Sequence, residues 1–254
     1  MRSANEAGRD SRFTIPLYSQ AETARYVDMP ASTLRTWTQG YERRGRSPHP
    51  PNQKTRSTGK RIVKGSPIVT YFSPRHPSDP TVPFVGLAES MFLSALRKAG
   101  VPLQQIRPAL SLVQSRLGVS HALASRRLYV AGAQLLWEVA EEGELDSGAR
   151  RALIVLRDGQ YVFREVIERY LKRIDYAEDG YANRVTLPGY EVADVVADPQ
   201  INFGQPFFVS TGAPVQSVLS RIRAGEPMTE VADDFDLPTD QVAEVADRAG
   251  LLAA

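Results

Sequence analysis

Residues 19–37 read SQAETARYVDMPASTLRTW, the pattern of two short helices joined by a tight turn. Ser19 and Glu22 have the spacing of a capping box, in which each side chain satisfies a free amide at a helix start. Asp28 and Pro30 interrupt the pattern, because aspartate favours turns and proline is tolerated only at a helix start. The stretch therefore predicts a helix-turn-helix.

The second helix of this pair has an apolar and a polar face. Leu34, Trp37 and Tyr41 are expected on the inner face. The outer face carries short hydrogen-bonding side chains and one guanidinium, which can reach the phosphates and base edges of DNA. The predicted DNA-binding residues of this helix are Ser32, Thr33, Arg35 and Thr36. A helix pair used only for packing is the alternative, because such patterns are degenerate.

Length and composition set broad limits. A chain of 254 residues can bury at least one sizeable core and is expected to form two or three domains. It has no cysteine, which excludes disulfides, zinc fingers and thiol catalysis within this sequence. No secretory signal or membrane-spanning apolar run is visible, so we expect a cytoplasmic protein without a membrane partner.

Charge is distributed unevenly along the chain. Residues 1–80 contain 14 Lys and Arg and 6 Asp and Glu, a net charge of +8. Residues 181–254 contain 4 and 11, a net charge of −7. The N-terminal part therefore suits a polyanion such as DNA, whereas the C-terminal part repels one.

The basic surplus is concentrated in residues 43–64, RRGRSPHPPNQKTRSTGKRIVK, which contain eight basic residues and no acidic one. Few of them are apolar, so we expect a mobile arm, followed by a strand at 68–72, IVTYF. Beside a helix-turn-helix, this arrangement predicts a DNA-binding wing over 43–67, and a solvated linker is the alternative. The predicted wing contacts are Arg43, Arg44, Arg56, Lys60, Arg61 and Lys64.

Residues 84–110, FVGLAESMFLSALRKAGVPLQQIRPAL, predict two further helices separated at Gly100 and Pro102. With the tyrosine-led helix pair that starts at Tyr18, this order of parts resembles the MerR-like winged-helix family. Pro30-Ala31 stands where that family usually has Ser-Pro. The long dimerising helix that usually ends such proteins is also absent.

The remaining segments complete a predicted α+β fold that is mainly α with small β elements. Residues 1–15 are predicted to be a flexible tail and 16–118 the winged-helix domain. Residues 119–183 are predicted to form a small α/β layer that connects domains or dimerises, with Tyr170 and Ile174 on one helix. Residues 184–254 are predicted to be a C-terminal domain, whose own apolar residues let it fold without the N-terminal domain.

The C-terminal stretch 230–246, EVADDFDLPTDQVAEVA, repeats the apolar template of the first helix pair. Pro30 falls on Pro238, 208 residues later, and Leu34 falls on Val242. The exposed positions lose their basic character, so we expect a second helix-turn-helix-like fold that contacts protein instead of DNA. The acidic residues predicted for this contact are Asp233, Asp234, Asp236, Asp240 and Glu244. A charged solvated face without a partner is the alternative.

Residues 198–225, DPQINFGQPFFVSTGAPVQSVLSRIRAG, resemble the antitoxin-associated domain of unknown function number 433. A MerR-like N-terminal part joined to this C-terminal part resembles VapB-type antitoxins of type II toxin–antitoxin systems. The resemblance implies that the N-terminal part binds the operon's own double-stranded promoter DNA as a homodimer and represses it. It also implies that the acidic part neutralises a PIN-like ribonuclease toxin.

No residue pattern indicates an enzyme. The three histidines are scattered, and the phosphate-binding and nucleophile motifs are missing. The sequence therefore predicts no catalytic residue, no metal site and no cofactor; Asp233, Asp234 and Asp236 are interpreted as a solvated helix end rather than a magnesium site. A MerR-like ligand-responsive regulator without a toxin, or an assembly module that binds no DNA, remains an alternative.

Overall fold

The computed structural model describes residues 10–45, 61–98, 118–128, 169–170 and 172–252. These residues form short helices and small antiparallel sheets, which confirms the predicted α+β class.

The N-terminal half is built around two helices and a hairpin. Strands β1 and β4 pair antiparallel, and so do β2 and β3, in which Tyr41 lies opposite Gly65. The elements in order are α1 (Ser11–Thr14), β1 (Pro16–Tyr18), α2 (Gln20–Tyr26), α3 (Ala31–Gln39), β2 (Tyr41–Gly45), β3 (Arg61–Gly65), β4 (Val82–Pro83) and α4 (Phe84–Lys98).

The C-terminal half combines a four-stranded antiparallel sheet, in the order β5-β6-β7-β8, with three helices. A 3₁₀ turn at Ala122–Ala124 precedes the sheet, and a second one lies at Asn202–Gly204. The elements are β5 (Ile174–Tyr176), β6 (Ala182–Thr186), β7 (Val195–Ala197), β8 (Phe207–Phe208), α5 (Val215–Arg223), α6 (Met228–Asp234) and α7 (Thr239–Arg248).

The predicted flexible tail is wrong for residues 10–15. Asp10 caps α1 by accepting a hydrogen bond from the Arg12 amide, 2.9 Å away. Phe13 is buried, and the buried Arg12 guanidinium binds the carboxylates of both Asp10 and Asp179. The sequence pattern could not show this, because Asp179 is 167 residues away in the chain. Residues 1–9 lie outside the described ranges.

Three other predicted features differ from the structure. No strand forms over 68–72, because the amides of Ile68 and Val69 donate to the Trp37 carbonyl at the end of α3. Ile174 begins β5 instead of continuing a helix from Tyr170. The predicted domain boundary between residues 183 and 184 falls inside β6, which pairs with strands on both sides of it. Most of the predicted 119–183 layer lies outside the described residues.

The two halves share one continuous hydrophobic core, whereas the sequence pattern predicts that each half can bury a core by itself. The buried Tyr18 hydroxyl of β1 donates to the Gly204 carbonyl at 2.7 Å. The Gly189 amide, between β6 and β7, donates to the Tyr26 carbonyl at the end of α2 at 2.8 Å. These contacts join the N-terminal and C-terminal halves into one packed body.

Candidate DNA and partner interfaces

Helix α2 begins at the capping box predicted from sequence. The Ser19 amide donates to Glu22 Oε2 at 2.9 Å, and the Glu22 amide donates to Ser19 Oγ at 3.2 Å. Two amides at the helix start are thereby satisfied, which fixes where the helix begins.

The turn between α2 and α3 has a left-handed residue, Asp28, with φ of 52°. The Met29 amide then donates back to the Ala24 carbonyl at 2.9 Å, and Pro30 is the N-cap of α3. Leu34 and Trp37 are buried on the inner face of α3, as predicted, whereas Tyr41 belongs to β2. The turn therefore presents α3 with its polar face outward.

The predicted DNA-binding residues of α3 differ in how accessible they are. Ser32 and Arg35 are exposed, and Thr33 and Thr36 are half-buried. The Thr36 hydroxyl donates to the Ser32 carbonyl at 3.0 Å, which leaves its oxygen lone pairs as acceptors. At the end of the same helix, Gln39 Nε2 donates to the Tyr71 hydroxyl at 3.3 Å. The sequence pattern does not indicate this contact of Tyr71, because Tyr71 lies 32 residues from Gln39.

The hairpin β2–β3 follows α3 directly and contains four of the predicted wing residues. The register places Arg43 opposite Val63, Arg44 opposite Ile62 and Lys64 opposite Glu42, and Arg61 lies opposite Gly45. The hairpin begins at Tyr41, two residues before the predicted wing. The predicted contacts Arg56 and Lys60 lie outside the described residues. The backbone therefore places a hairpin that carries four basic residues directly after α3 in the chain.

Side chains from both halves anchor the turn between α2 and α3. The Asp28 carboxylate accepts hydrogen bonds from Lys98 Nζ at 2.6 Å and from the Arg248 guanidinium of α7 at 3.3 Å. The Lys98 hydrogen bond, aided by Arg248, lowers the pKa of Asp28 below its usual value. Ser94 Oγ of α4 donates to the Val27 carbonyl at 2.7 Å. Helix α3 is thus oriented partly by the acidic end of the chain.

Helices α6 and α7 repeat the hydrogen bonds of α2 and α3 at the same 208-residue spacing. Asp236 takes the left-handed conformation of Asp28, with φ of 55°. The Leu237 amide donates to the Ala232 carbonyl at 2.9 Å, as Met29 does to Ala24, and Pro238 is the N-cap of α7. The buried residues of this pair are Val231, Ala232, Val242, Val245 and Ala246.

The five acidic residues predicted to contact a partner fall into two groups. Asp233, Asp236 and Asp240 are exposed, and Asp234 is exposed but forms an ion pair with Arg221 at 2.6 Å. Glu244 differs from the other four, because its carboxylate already accepts hydrogen bonds from three consecutive amides in the loop after β6. Their distances are 2.6 Å from Glu191, 3.0 Å from Val192 and 2.7 Å from Ala193. Glu244 therefore holds this loop against α7.

Within the described ranges, no group of three His, Cys, Asp or Glu side chains is arranged to hold a metal ion. No helix in those ranges is long and apolar enough to cross a membrane.

Two family models match the chain. The model described as "Putative DNA-binding HTH domain" matches residues 16–110, which include α2, α3 and the hairpin. The model described as "Protein of unknown function (DUF433)" matches residues 195–247, which include β7 and the helices α5 to α7. The first match confirms the N-terminal helix-turn-helix.

Relatives align along nearly the whole chain. "Putative antitoxin VapB45" of Mycobacterium tuberculosis is 43% identical over 247 residues, which are 96% of this chain and 98% of that protein. A second protein of that bacterium, "Uncharacterized protein Rv2308", is 26% identical over 91% of this chain and 89% of its own. The crystal structure of Rv2018 from the same organism has a TM-score of 0.69 at 38% identity and covers 93% of this chain and 99% of that one. The chain therefore belongs to the VapB-type antitoxin family, with a DNA-binding helix-turn-helix domain at its N-terminal end and the domain of unknown function 433 at its C-terminal end.

Proposed function

We propose that this chain is a non-enzymatic cytoplasmic regulator that neutralises a PIN-like ribonuclease toxin and represses its own promoter as a homodimer. The observation that carries the proposal is the outward polar face of α3, followed directly by a hairpin rich in basic residues, on one chain with an acidic helix pair of the same geometry. The relative named "Putative antitoxin VapB45" and the match to the DNA-binding family model support it. The MerR-like character of residues 16–118 is part of this proposal.

The DNA-binding half would use two kinds of contact. Ser32 and Arg35 on α3 are exposed and can reach base edges or phosphates. The strands Tyr41–Gly45 and Arg61–Gly65, which follow α3, would add basic residues for phosphate contacts. A single helix in one groove reads too few base pairs to define a genomic address, so a dimer on two half-sites is expected.

We expect Arg35→Ala to weaken binding of the promoter by about 1–3 kcal/mol, which is the cost of losing one good groove or phosphate contact. Helix α3 keeps its buried face in this variant, so thermal stability should stay unchanged. Titration of labelled promoter DNA at several salt concentrations measures the effect. The matched control is Arg223→Ala, which removes an exposed arginine from α5 in the acidic half and should leave DNA affinity unaltered.

Neutralising Arg56, Lys60 and Arg61 together should instead lower affinity for all DNA and reduce the salt dependence of binding, since fewer counterions are released. If Arg35→Ala binds DNA with wild-type affinity, α3 does not contact the DNA. If the triple variant keeps the salt dependence of the wild type, the wing does not contact the DNA.

The toxin-binding half would use electrostatic complementarity. PIN-like ribonucleases bind metal through their own carboxylates and bind RNA through basic surfaces, and residues 181–254 have a net charge of −7. The exposed residues Asp233, Asp236 and Asp240 are free to face such a surface, since no hydrogen bond or ion pair ties them to a cation elsewhere in the described ranges.

Asp233→Lys and Asp236→Lys, each alone, should slow association with the toxin by about threefold to tenfold at low salt, because rim charges act mainly on the encounter rate. Asp233→Lys should change folding stability little, since that side chain is exposed. Asp236→Lys should cost about 1 kcal/mol, because lysine adopts the left-handed backbone of Asp236 less readily than aspartate does. Stopped-flow or biosensor kinetics with a catalytically inactive toxin measures this. Glu178→Lys, an equal charge reversal in the exposed turn between β5 and β6, is the control. If all three variants associate with the toxin equally slowly, net charge alone sets the rate, and α6 is not the toxin-binding site.

A further inference from the structure

One aromatic side chain projects from the C-terminal half with almost no protein around it. Phe203 is 93% exposed, and the neighbouring large apolar residues Ile201 and Val209 are each 40% exposed. We call these three residues the Phe203 knob. An aromatic side chain exposed to this degree does not stabilise the folded state by burial, since its apolar surface stays in water.

The backbone of the knob is strained in a way that serves to expose this side chain. Phe203 has φ of 55° and ψ of 31°, and Asn202 before it has φ of 49°. Left-handed backbone is uncommon for residues with a side chain and is a true outlier for a bulky aromatic one. Such strain persists where the surrounding structure imposes it, and it is concentrated at functional sites.

The contacts that impose the strain come from both halves of the molecule. The buried Tyr18 hydroxyl donates to the Gly204 carbonyl, and the Gly204 amide donates to the Ile201 carbonyl at 2.8 Å. Asn202 Nδ2 donates to the Gly212 carbonyl at 3.3 Å. A Cβ at position 204 would lie 2.5 Å from Leu17 Cδ1, and Gly204 itself has φ of +80°. The knob is therefore held rigidly on the core and is preorganised for contact.

The charges around the knob indicate what can cover it. The carbonyl of Asp194 accepts from the Val209 amide at 2.9 Å, and that of Asp198 accepts from the Ile201 amide at 3.1 Å, so both acidic residues flank the knob. Residues 185–220 contain no lysine or arginine. The basic residue that precedes this range is Arg184, whose guanidinium lies 5.9 Å from the centre of the Phe207 ring. A second copy of this chain bound through the same knob would bring Asp194 and Asp198 against their own counterparts, whereas a basic partner would be complementary.

We infer that the Phe203 knob is the hot spot by which this antitoxin captures its toxin, inserting into an apolar pocket with a basic rim on that protein. This inference rests on the proposed function and names the contact that the function needs. Aromatic side chains that become fully buried in a pocket of the partner, within a ring of contacts that excludes water, often dominate the binding energy of protein interfaces. The acidic residues of α6 and α7 would then steer association, while the knob sets the lifetime of the complex.

The test is Phe203→Asn in the full-length chain. The probe is a catalytically inactive variant of the PIN-like toxin proposed above as the partner. Asparagine tolerates left-handed backbone, so the melting temperature should stay the same or rise. Affinity measured by titration calorimetry should fall by about 30-fold or more, as for a hot-spot aromatic residue. The control Val192→Asn removes a 52% exposed apolar side chain elsewhere in this half and should bind as wild type.

The outcomes separate this inference from the proposed function. If the wild-type chain does not bind the probe, both fail. If the wild type binds and Phe203→Asn binds equally well, the inference alone is wrong. Equal loss in Phe203→Asn and Val192→Asn also overturns it, since any exposed apolar residue would then suffice. Dimer dissociation caused by Phe203→Asn in sedimentation, with toxin affinity unchanged, would assign the knob to a second copy instead.

Discussion

Deletion of residues 184–254 is expected to unfold the N-terminal half instead of releasing a DNA-binding fragment. The deletion removes most of β6, all of β7 and β8, and the helices α5 to α7, whose apolar residues share one core with α2, α3 and α4. It also leaves the buried Tyr18 hydroxyl without its acceptor at Gly204 and removes the Arg248 partner of Asp28. Exposing that much apolar surface costs more than the 5–15 kcal/mol or so by which a typical domain is stable.

Circular dichroism melting of the 1–183 fragment measures this effect, with the full-length chain as reference. We expect no cooperative transition for the fragment and no specific promoter binding. A fragment with a sharp melt and wild-type affinity would show that the halves fold independently, as their separate apolar patterns had suggested. Arg35→Ala is the useful comparison, because it should lose DNA affinity while keeping its melting transition.

Gly189→Ala is expected to destabilise the protein by about 3 kcal/mol or more, the upper end of overpacking effects. Gly189 is buried where the loop after β6 meets the end of α2, and its amide donates to the Tyr26 carbonyl. An added Cβ would lie well within contact distance of the Arg25 and Tyr26 carbonyl oxygens. Both are backbone atoms, so no side-chain rotation relieves the clash, and the loop must separate from the helix.

Urea denaturation of Gly189→Ala and of Gly180→Ala compares a clash with simple backbone strain. Gly180 has φ of +82° but open space around it, so alanine there should cost only about 1–2 kcal/mol. Promoter affinity should fall for Gly189→Ala alone, because the loop helps to orient α2. Equal stability losses for the two variants would mean that the loop does not clamp the helix pair.

The local signals of this chain were readable from sequence because their causes lie within a few residues. Ser19 and Glu22 are three positions apart, and the capping box they predict forms. The turn at Asp28 and the buried Leu34 and Trp37 also follow from local pattern. The 208-residue repeat is a comparison of two such patterns, and its hydrogen bonds recur at Asp236 and Leu237.

The features that local pattern did not show share one physical origin, which is contact between segments that lie far apart in the chain. Glu244 is an exposed-looking acid on an amphipathic helix, yet three loop amides more than fifty residues away bind its carboxylate. Arg12 was assigned to a tail because its partner Asp179 lies far along the chain. Charge pattern shows which residues need a partner or solvent, but it does not show which of the two they have.

By itself, the sequence determined the helix pair at each end of the chain, the opposite charges of the two ends and the family. These depend on side-chain spacing, on charge and on motifs that are complete within short segments. Only the tertiary structure decided that both ends share one core, that Asp28 and Arg248 link them, and that Phe203 is held outward on strained backbone. Such features arise from contacts between distant segments, whose geometry is set when the apolar faces pack together.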